Sequence, residues 1–500
     1  MRRGRSRLPS PSHNAAWAQP AAVAILRPMS APTYFIRTFG CQMNEHDSER
    51  AAGVLETMGY RPAADMDAAD LVLFNTCAVR ENADNKLYGQ LSQVKPLKQA
   101  DPEKTVVVGG CLAQKDQDAV AEKAPWVDVV YGTHNMGRLP ELLSQADSTH
   151  LPVVEILEHT EMFPSALPAR REVEHHAWVS ISIGCNNTCT FCIVPMLRGP
   201  EKSRKLGEIV SEVRELVADG VREVSLLGQN VNSYGRDLVF ADPGDGPRNR
   251  TMFAELLYAL GEVDGLERVR FTSPHPKDFT SDVFAAMRDI DNVCEQLHLP
   301  LQSGSDRILK RMQRSYRAQR FLDLVAEARE TIPGVAISTD IIVGFPGETE
   351  EDFESTLAVV EQAAFDAAFT FEYSPRQGTA AAEMDGHLPA DVVNARYQRL
   401  AGLTRDLSEQ ANERQVGTVQ ELLLEGPSKK DPTKLSGRTR TNRLVHVPGP
   451  DGGGLAGLAA GQLVPARLDS ARANYLLGEV VDAACDAPVG GPRPMTTALR

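Results

Sequence analysis

The chain has 500 residues, 42% of them hydrophobic and 24% charged, and a net charge of −14. The length predicts two to four domains. The composition is that of an ordinary soluble globular protein. No run approaches the roughly 18 apolar residues of a membrane-spanning helix, and residues 21–26 are too short for a signal-peptide core. We therefore expect a cytoplasmic protein without membrane contact, and RNA or DNA binding only through a local basic patch.

Both ends of the chain lack apolar periodicity. Residues 1–30 are rich in Arg, Pro, Ser and Ala and are predicted to be a disordered extension. Met29 stands just before the first strand-like run and is our expected true start, with an Arg-rich targeting peptide as the alternative. Residues 483–500 are rich in Gly and Pro and are predicted to be a flexible tail.

Strands and helices alternate from residue 33 to 145, which predicts an α/β domain with a parallel sheet. Its predicted strands are Tyr34–Phe39, Leu71–Asn75, Thr105–Gly109 and Val127–Tyr131. No G-x-G-x-x-G follows any of them, so a dinucleotide site is not indicated. The polar segment 146–175, with three prolines, is interpreted as a linker.

A second alternating region, 176–410, predicts a partial or complete β/α barrel with its chemistry at the C-terminal strand ends. Its strand candidates are Val179–Ile183, Glu223–Leu227, Arg268–Thr272, Gln296–Leu301, Ala336–Val343 and Ala368–Tyr373. Residues 415–482 change to short strands with turn signals, which predicts a small β-barrel. Its strand candidates are Thr418–Leu424, Arg443–Val447, Gln462–Leu468 and Tyr475–Val480.

The chain contains eight cysteines, and without a secretory signal a disulfide framework is improbable. Cys185, Cys189 and Cys192 form a C-x3-C-x2-C loop just after the first barrel strand. Three thiolates in a tight loop suit an iron–sulfur cluster that leaves its fourth iron open. A structural zinc site is the alternative, although zinc prefers four closed ligands and no fourth Cys or His lies nearby in sequence.

Three further cysteines, Cys41, Cys77 and Cys111, are separated by 36 and 34 residues, about one βα repeat each. Each follows a predicted strand, and the carboxyl ends of parallel strands meet at one edge of a sheet. We therefore expect these thiols to converge as a second three-thiolate cluster site. The alternative is three unrelated buried thiols, because free cysteine is often simply a core residue.

The loop Cys185–Cys192, with Phe191 before its last cysteine, resembles the signature of the radical S-adenosylmethionine (SAM) superfamily. The resemblance implies that SAM binds the open iron of a [4Fe-4S] cluster and is cleaved by one electron to a 5′-deoxyadenosyl radical. Cys185, Cys189 and Cys192 would then be both cluster ligands and catalytic residues.

The combination of both triads resembles the methylthiotransferase family over residues 33–482. The supporting segments are Thr38–Glu45, Asn75–Glu81, Gly228–Tyr234 and His298–Ser305. The resemblance implies a second [4Fe-4S] cluster on Cys41, Cys77 and Cys111, and one SAM as radical source with another as methyl donor. It is closest to members that methylthiolate isopentenyladenosine beside the tRNA anticodon, and it implies an anticodon stem-loop partner and a flavodoxin or ferredoxin as electron donor. We expect a monomer.

SAM contacts are predicted among polar residues near the strand ends, namely Arg204, Gln229, Asn230, Gln302, Ser303 and Asp340. The segment 429–443 carries six basic residues and one acidic residue, and it resembles a TRAM domain, an RNA-binding β-barrel. The predicted RNA contacts are Lys429, Lys430, Lys434, Arg438, Arg440 and Arg443. A solvated charged hairpin is the alternative.

Other functions remain open at this point. Methylthiolation of threonylcarbamoyladenosine in tRNA, or of a ribosomal-protein aspartate, would use the same clusters and barrel. A two-cluster electron-transfer protein is a different class, but it predicts four-cysteine ligation, and both triads lack a fourth cysteine. An RNA-binding module with degenerate enzyme domains is disfavoured by two intact triads.

Overall fold

The computed structural model describes residues 31–78, 81–158, 163, 167–238, 250–449 and 457–481. The predicted N-terminal extension with Met29, the predicted tail and Cys485 lie outside these residues. Within them, no helix combines the length and the apolar character needed to cross a bilayer.

The first domain is built around a parallel sheet in the order β2-β1-β3-β4-β5-β6. Apolar residues of the strands pack against helices in two clusters, as expected for a sheet whose strands are buried on both faces. The elements are β1 Thr33–Phe39, α1 Gln42–Thr57, β2 Arg61–Pro62, β3 Leu71–Thr76, α2 Glu81–Ala100, β4 Thr105–Gly109, α3 Cys111–Asp116, α4 Asp118–Lys123, β5 Val129–Tyr131, α5 Leu139–Thr149 and β6 Val153–Glu155.

The predicted linker 146–175 is wrong in its first part. Helix α5 continues to Thr149, and Val153–Glu155 pairs with β5 as an edge strand of the sheet. Three residues with two valines give too short a pattern to be read as a strand from sequence, and Pro152 disguises it further.

The second domain contains two parallel three-stranded sheets, β7-β10-β11 and β12-β13-β14, joined by a bridge between Val269 and Val293. The predicted partial barrel is therefore confirmed, and we call it the large barrel. Its elements are β7 His176–Ser180, β8 Ser182–Ile183, α6 Val194–Arg198, β9 Lys202–Ser203, α7 Leu206–Ala218, β10 Glu223–Leu227, α8 Met252–Gly261, β11 Arg268–Phe271, α9 Ser281–Asp289, β12 Gln296–His298, α10 Asp306–Arg311, α11 Ala318–Thr331, β13 Ala336–Val343, α12 Glu350–Ala363, β14 Ala367–Glu372 and α13 Ala390–Glu413.

The third domain is a closed barrel with strand order β15-β16-β17-β19-β18, which we call the C-terminal barrel. Its strands are β15 Val419–Pro427, β16 Lys434–Thr439, β17 Leu444–Pro448, β18 Leu463–Arg472 and β19 Tyr475–Val480. The predicted small barrel is confirmed, but strand β16 was not predicted. It lies inside the basic segment, where Lys, Gly and Arg hide the alternation that buries Leu435, Gly437 and Thr439.

The C-terminal barrel packs against the N-terminal ends of the large-barrel strands, the end opposite the cysteine loop. Arg268, the first residue of β11, donates to the carbonyl oxygens of Arg438 (2.8 Å) and Glu421 (3.1 Å). Arg270 donates to the carbonyl oxygens of Arg440 (2.7 Å) and Thr439 (2.8 Å). The turn 439–443 therefore covers the floor of the large barrel.

Candidate active site

Cys41, Cys77 and Cys111 lie at the carboxyl ends of the adjacent strands β1, β3 and β4. Glycines let the three loops approach one another. A Cβ on Gly40 would stand 2.4 Å from the Cβ of Cys77, and a Cβ on Gly110 would stand 2.2 Å from the Asn75 side-chain oxygen. Only glycine fits at these two positions, and both adopt positive φ angles.

A buried amide network supports this edge of the sheet. The Asn75 amide donates to the Asn44 carbonyl oxygen (2.8 Å) and to Ser48 Oγ (2.9 Å), and the Asn44 amide donates to Asn75 Oδ1 (3.2 Å). The Cys41 thiol in turn donates to Asn44 Oδ1 at 3.3 Å. The network fixes the start of α1 against β3 and so fixes the distance between the first two cysteines.

The three thiols interact with one another. A hydrogen bond with Cys77 lowers the pKa of the Cys41 thiol to about 6, an effect that burial opposes and that Arg198 reinforces. Burial raises the pKa of Cys111, and the Arg198 charge and hydrogen bond oppose that rise. The three thiols therefore lie near one another at one edge of the sheet, and the lowered pKa of Cys41 favours its thiolate, the form that binds metal.

The second triad lies on the loop between β8 and α6. Gly184 precedes it with φ of +77°, and a Cβ there would stand 2.1 Å from the Pro200 carbonyl oxygen. Phe191 packs against an apolar cluster that contains Ile308, Met312 and Phe345, so the aromatic residue anchors the loop to the large barrel.

These thiols share an electrostatic environment. Burial raises the pKa of Cys192 to about 12, and the neighbouring Cys189 and Cys185 raise it further. Burial likewise raises the pKa of Cys185, against hydrogen bonds from Asn187. Arg314 donates to the Cys189 sulfur at 3.2 Å, so a buried cation stands beside the triad. A cation at this place favours thiolates over thiols.

No group of three His, Cys, Asp or Glu side chains within the described ranges is disposed to hold a single metal ion. Each triad offers thiolates as its donors, which is the soft donor chemistry that suits an iron–sulfur cluster.

Helix α6 joins the two triads. It begins two residues after Cys192, and its Leu197 packs with Cys111 and Ala78 of the first domain. Thr133 of the first domain donates to the Leu197 carbonyl oxygen at 2.8 Å. Because α6 follows Cys192 closely and packs against Cys111, it holds the loop of the second triad against the first triad.

Several buried polar atoms near the C-terminal ends of the large-barrel strands have no hydrogen-bond partner among the described residues. They are Ser182 Oγ, Gln229 Oε1, Asn230 Oδ1 and Gln302 Oε1. Leaving a buried polar group unpaired costs about 1–3 kcal/mol, so such a group indicates a missing ligand or water. Gln302 also adopts a left-handed φ of +65°. The placement fits a polar cofactor such as SAM at the predicted edge.

The other predicted SAM contacts have protein partners. Asp340 Oδ2 lies 3.2 Å from His298 Nε2. The Ser303 hydroxyl faces Thr356 of α12 at 3.3 Å. Arg204 donates to Glu212 (2.6 Å) and to the Ser180 carbonyl oxygen (2.8 Å). The Ser303 and Arg204 side chains are thus engaged in holding the domain together.

Two of the predicted RNA contacts are used between domains. The Arg440 guanidinium forms a two-pronged pair with Glu295, with both distances 2.9 Å, and donates to the Asp291 and Val293 carbonyl oxygens. Arg443 pairs with Asp366 and with Asn412, both at 2.5 Å. The guanidinium groups of both arginines therefore form part of the interface between the two barrels. The sequence could not show this, because Glu295 lies 145 residues before Arg440 and Asp366 lies 77 residues before Arg443.

The remaining basic residues lie on the outer side of the C-terminal barrel. Lys429 and Lys430 are exposed, while Lys434 pairs with Asp431 (3.2 Å) and Arg438 with Glu425 (3.0 Å). Burial raises the pKa of the Glu45 carboxyl, and the nearby positive charge of Lys429 opposes that rise. The exposed lysines therefore stand on the side of the molecule that carries Cys41.

Two residues of the site were missed by sequence reasoning. Arg314 and Arg198 both place a guanidinium beside a cysteine triad. The only available signal was an arginine six residues after Cys192, which a spacing rule for metal ligands does not consider.

Family models match all three domains. Residues 33–132 match a model described as Uncharacterized protein family UPF0004, residues 179–360 match the radical SAM superfamily and residues 413–481 match the TRAM domain. Among solved structures, the radical SAM methyltransferase TsrM from Kitasatospora setae aligns with a TM-score of 0.51 at 15% identity, over 71% of this chain and 77% of that one. At that identity the similarity shows the fold alone.

Curated relatives are far more similar. A tRNA-2-methylthio-N(6)-dimethylallyladenosine synthase from Mycolicibacterium smegmatis is 56% identical over 93% of this chain and 91% of its own length. A synthase 2 from Mycobacterium marinum is 56% identical, covering 94% and 87%, and one from Corynebacterium urealyticum is 57% identical, covering 89% and 82%. Similarity at this level over nearly the whole chain shows that the protein belongs to the tRNA-2-methylthio-N(6)-dimethylallyladenosine synthase family of radical SAM enzymes.

Proposed function

We propose that the protein transfers a methylthio group to N6-dimethylallyladenosine beside the anticodon of tRNA. The observation that carries the proposal is the pair of three-thiol sites joined through α6, one at the large-barrel mouth and one at the edge of the first sheet. Such a reaction must both break an aromatic C–H bond and deliver sulfur. Two sites that face one substrate supply places for both tasks.

In this proposal Cys185, Cys189 and Cys192 hold a [4Fe-4S] cluster, and its open iron binds SAM. When bound, this pair supplies one-electron cleavage of SAM and hence a hydrogen-abstracting radical. Gln229, Asn230 and Gln302 present the unpartnered oxygens that would orient SAM, and the Asp340 carbonyl oxygen accepts from the Gln302 backbone N–H at 2.8 Å. The deep placement of these groups excludes water, which limits side reactions.

We further propose that Cys41, Cys77 and Cys111 hold a second [4Fe-4S] cluster, which supplies sulfur to the reaction. The fit rests on three thiols at the ends of the adjacent strands β1, β3 and β4, with a buried arginine beside Cys111. Three ligands leave one iron of this cluster free as well.

The tRNA would approach across the exposed Lys429 and Lys430, which lie on the same side as Glu45 and Cys41. Phosphate neutralisation by such lysines is independent of sequence and depends on salt. An adenosine in a loop is unstacked at lower cost than one in a duplex, which suits an anticodon-loop target. A cytoplasmic monomer that accepts electrons from flavodoxin or ferredoxin completes the proposal.

The test is anaerobic reconstitution with iron and sulfide, followed by incubation with SAM, reductant and tRNA that carries N6-dimethylallyladenosine. Mass spectrometry of digested nucleosides should show a nucleoside heavier by one methylthio group. Cys189→Ala should abolish both SAM cleavage and product, and Cys77→Ala should abolish product while SAM cleavage continues. Cys294→Ala is the matched control, because Cys294 is a buried cysteine that belongs to neither triad.

If SAM is cleaved and this tRNA stays unchanged, the proposed substrate is wrong. The same assay with threonylcarbamoyladenosine tRNA, and then with ribosomal protein, would identify which alternative applies. If Cys294→Ala loses product as completely as Cys77→Ala, the proposed role of the first triad is contradicted.

A further inference from the structure

Arg198 extends from the large-barrel domain into the cysteine site of the first domain. It is the last residue of α6, and the preceding Leu197 packs with Cys111. Its side chain is 7% exposed, and its Nη2 lies 2.7 Å from Asp47 Oδ2 on α1. The Asp47 side chain is only 4% exposed, so both charges are withdrawn from water.

A buried ion pair needs a reason, since desolvation offsets most of its Coulomb attraction. The thiols supply one. Arg198 is a hydrogen-bond partner of Cys111, and its charge also acts on Cys41. Burial alone would raise the pKa of Asp47, but the charge of Arg198 keeps it lowered, so the pair remains ionised.

The two members of the pair are arranged unequally around the thiols. The cation acts on Cys111 through its charge and a hydrogen bond, whereas Asp47 Oδ1 faces His46, with its Nδ1 at 3.7 Å. A positive charge beside a redox group stabilises its more negative, reduced state, and a negative charge does the opposite. In a buried site this effect is only weakly screened.

We infer that Arg198 is a positioning residue that holds Cys111 as a cluster ligand and raises the reduction potential of the cluster in the first domain, with Asp47 as the counterion that fixes its guanidinium. The inference rests on the proposed function, because it needs the second cluster. It also makes the redox state of that cluster depend on a residue supplied by the neighbouring domain.

The experiment isolates the second cluster in the full chain by replacing Cys185, Cys189 and Cys192 with Ala. Three variants are made in this background: Arg198→Met, Arg198→Lys and Asp47→Asn. Each is reconstituted with iron and sulfide, and the reduction potential of its cluster is measured by redox titration followed by electron paramagnetic resonance. At a fixed ambient potential, Arg198→Met should lower the ratio of reduced to oxidised cluster about tenfold, which is 59 mV for one electron. Arg198→Lys should restore most of the ratio, and Asp47→Asn should raise it.

The matched control is Arg50→Met, which removes another buried arginine from an ion pair, with Glu212 at 2.7 Å, away from the thiols. It should leave the potential unchanged. A purely structural role for the Arg198–Asp47 pair predicts that both single variants shift the potential the same way or leave it alone, and either result overturns the inference. If Arg198→Met retains no iron, the reduction potential of Asp47→Asn still tests the inference: a higher potential supports it, and an unchanged or lower potential overturns it. If the background with Arg198 intact binds no cluster, the second cluster itself is refuted, and the inference with it.

Discussion

Replacing Arg440 with Met should loosen the contact between the two barrels. Met keeps the apolar stem but removes the two-pronged pair with Glu295 and the bonds to the Asp291 and Val293 carbonyl oxygens. Breaking a fully buried ion pair costs about 3–5 kcal/mol. Because the Glu295 side chain is 30% exposed and can regain water, we expect about 2–3 kcal/mol here.

Hydrogen exchange measures this loss directly. If the contact holds β16 and β17 in place, protection of their amides should fall about 30- to 150-fold, at 1.4 kcal/mol for each factor of ten. Arg438→Met is the matched control, since Arg438 lies on the same hairpin, is 38% exposed and pairs with Glu425 inside its own barrel. It should change protection by less than about threefold.

The same variants separate an interface role from an RNA contact. Losing one phosphate contact flattens the slope of log affinity against log salt by about 0.7–0.9. Arg440→Met should leave the slope for tRNA unchanged, whereas Lys430→Met should flatten it. A flattened slope in Arg440→Met, with amide protection intact, would refute the reasoning and return Arg440 to the RNA surface.

Three further predictions concern the interior. Gly110→Ala should prevent iron binding at the first-domain triad and lower the unfolding free energy by about 3 kcal/mol more than Gly59→Ala does. Gly59 is the control because it also has φ of +92° but nothing lies within 4 Å of its new Cβ. Equal effects of the two variants in iron analysis and unfolding would contradict this prediction. Burial lowers the pKa of His176 to about 4, so the unfolded chain takes up a proton below pH 6.5 and the folded chain does not. The unfolding free energy should therefore fall by about 3 kcal/mol from pH 6.5 to 4 relative to His176→Gln, and a flat difference would refute it. Gln302→Ala should weaken SAM binding about tenfold in equilibrium dialysis, while Gln313→Ala, exposed and also left-handed, should not; equal affinities would remove Gln302 from the SAM site.

The strands whose bounds the sequence predicts correctly are those that are set by the local pattern of residues. Thr105–Gly109, Glu223–Leu227, Ala336–Val343 and Tyr475–Val480 have the bounds that were predicted, because runs of β-branched and aliphatic residues end at a glycine, an acidic residue or a turn. The cysteines of both triads follow such strands along the chain. Their placement follows from strand ends, and strand ends follow from local pattern.

The residues that sequence misjudged are those whose partners are remote. Arg440 and Arg443 were read with their lysine neighbours as one basic stripe, yet each pairs with an acid of the large barrel. Arg198 is a further case, because its partner Asp47 lies 151 residues earlier in the chain. A charged side chain carries no local mark of whether tertiary packing will neutralise it.

The turn that closes the floor of the large barrel also supplies hydrogen-bond acceptors to two buried arginines. Arg268 is completely buried, and the turn 439–443 seals it from below. A chain shortened after α13 would lose the carbonyl oxygens of Arg438, Thr439 and Arg440 that accept hydrogen bonds from Arg268 and Arg270, and would leave these two buried guanidinium groups short of partners. The C-terminal barrel thus completes the hydrogen bonding of the large barrel, so its removal should lower the unfolding free energy of the large barrel even when no tRNA is present.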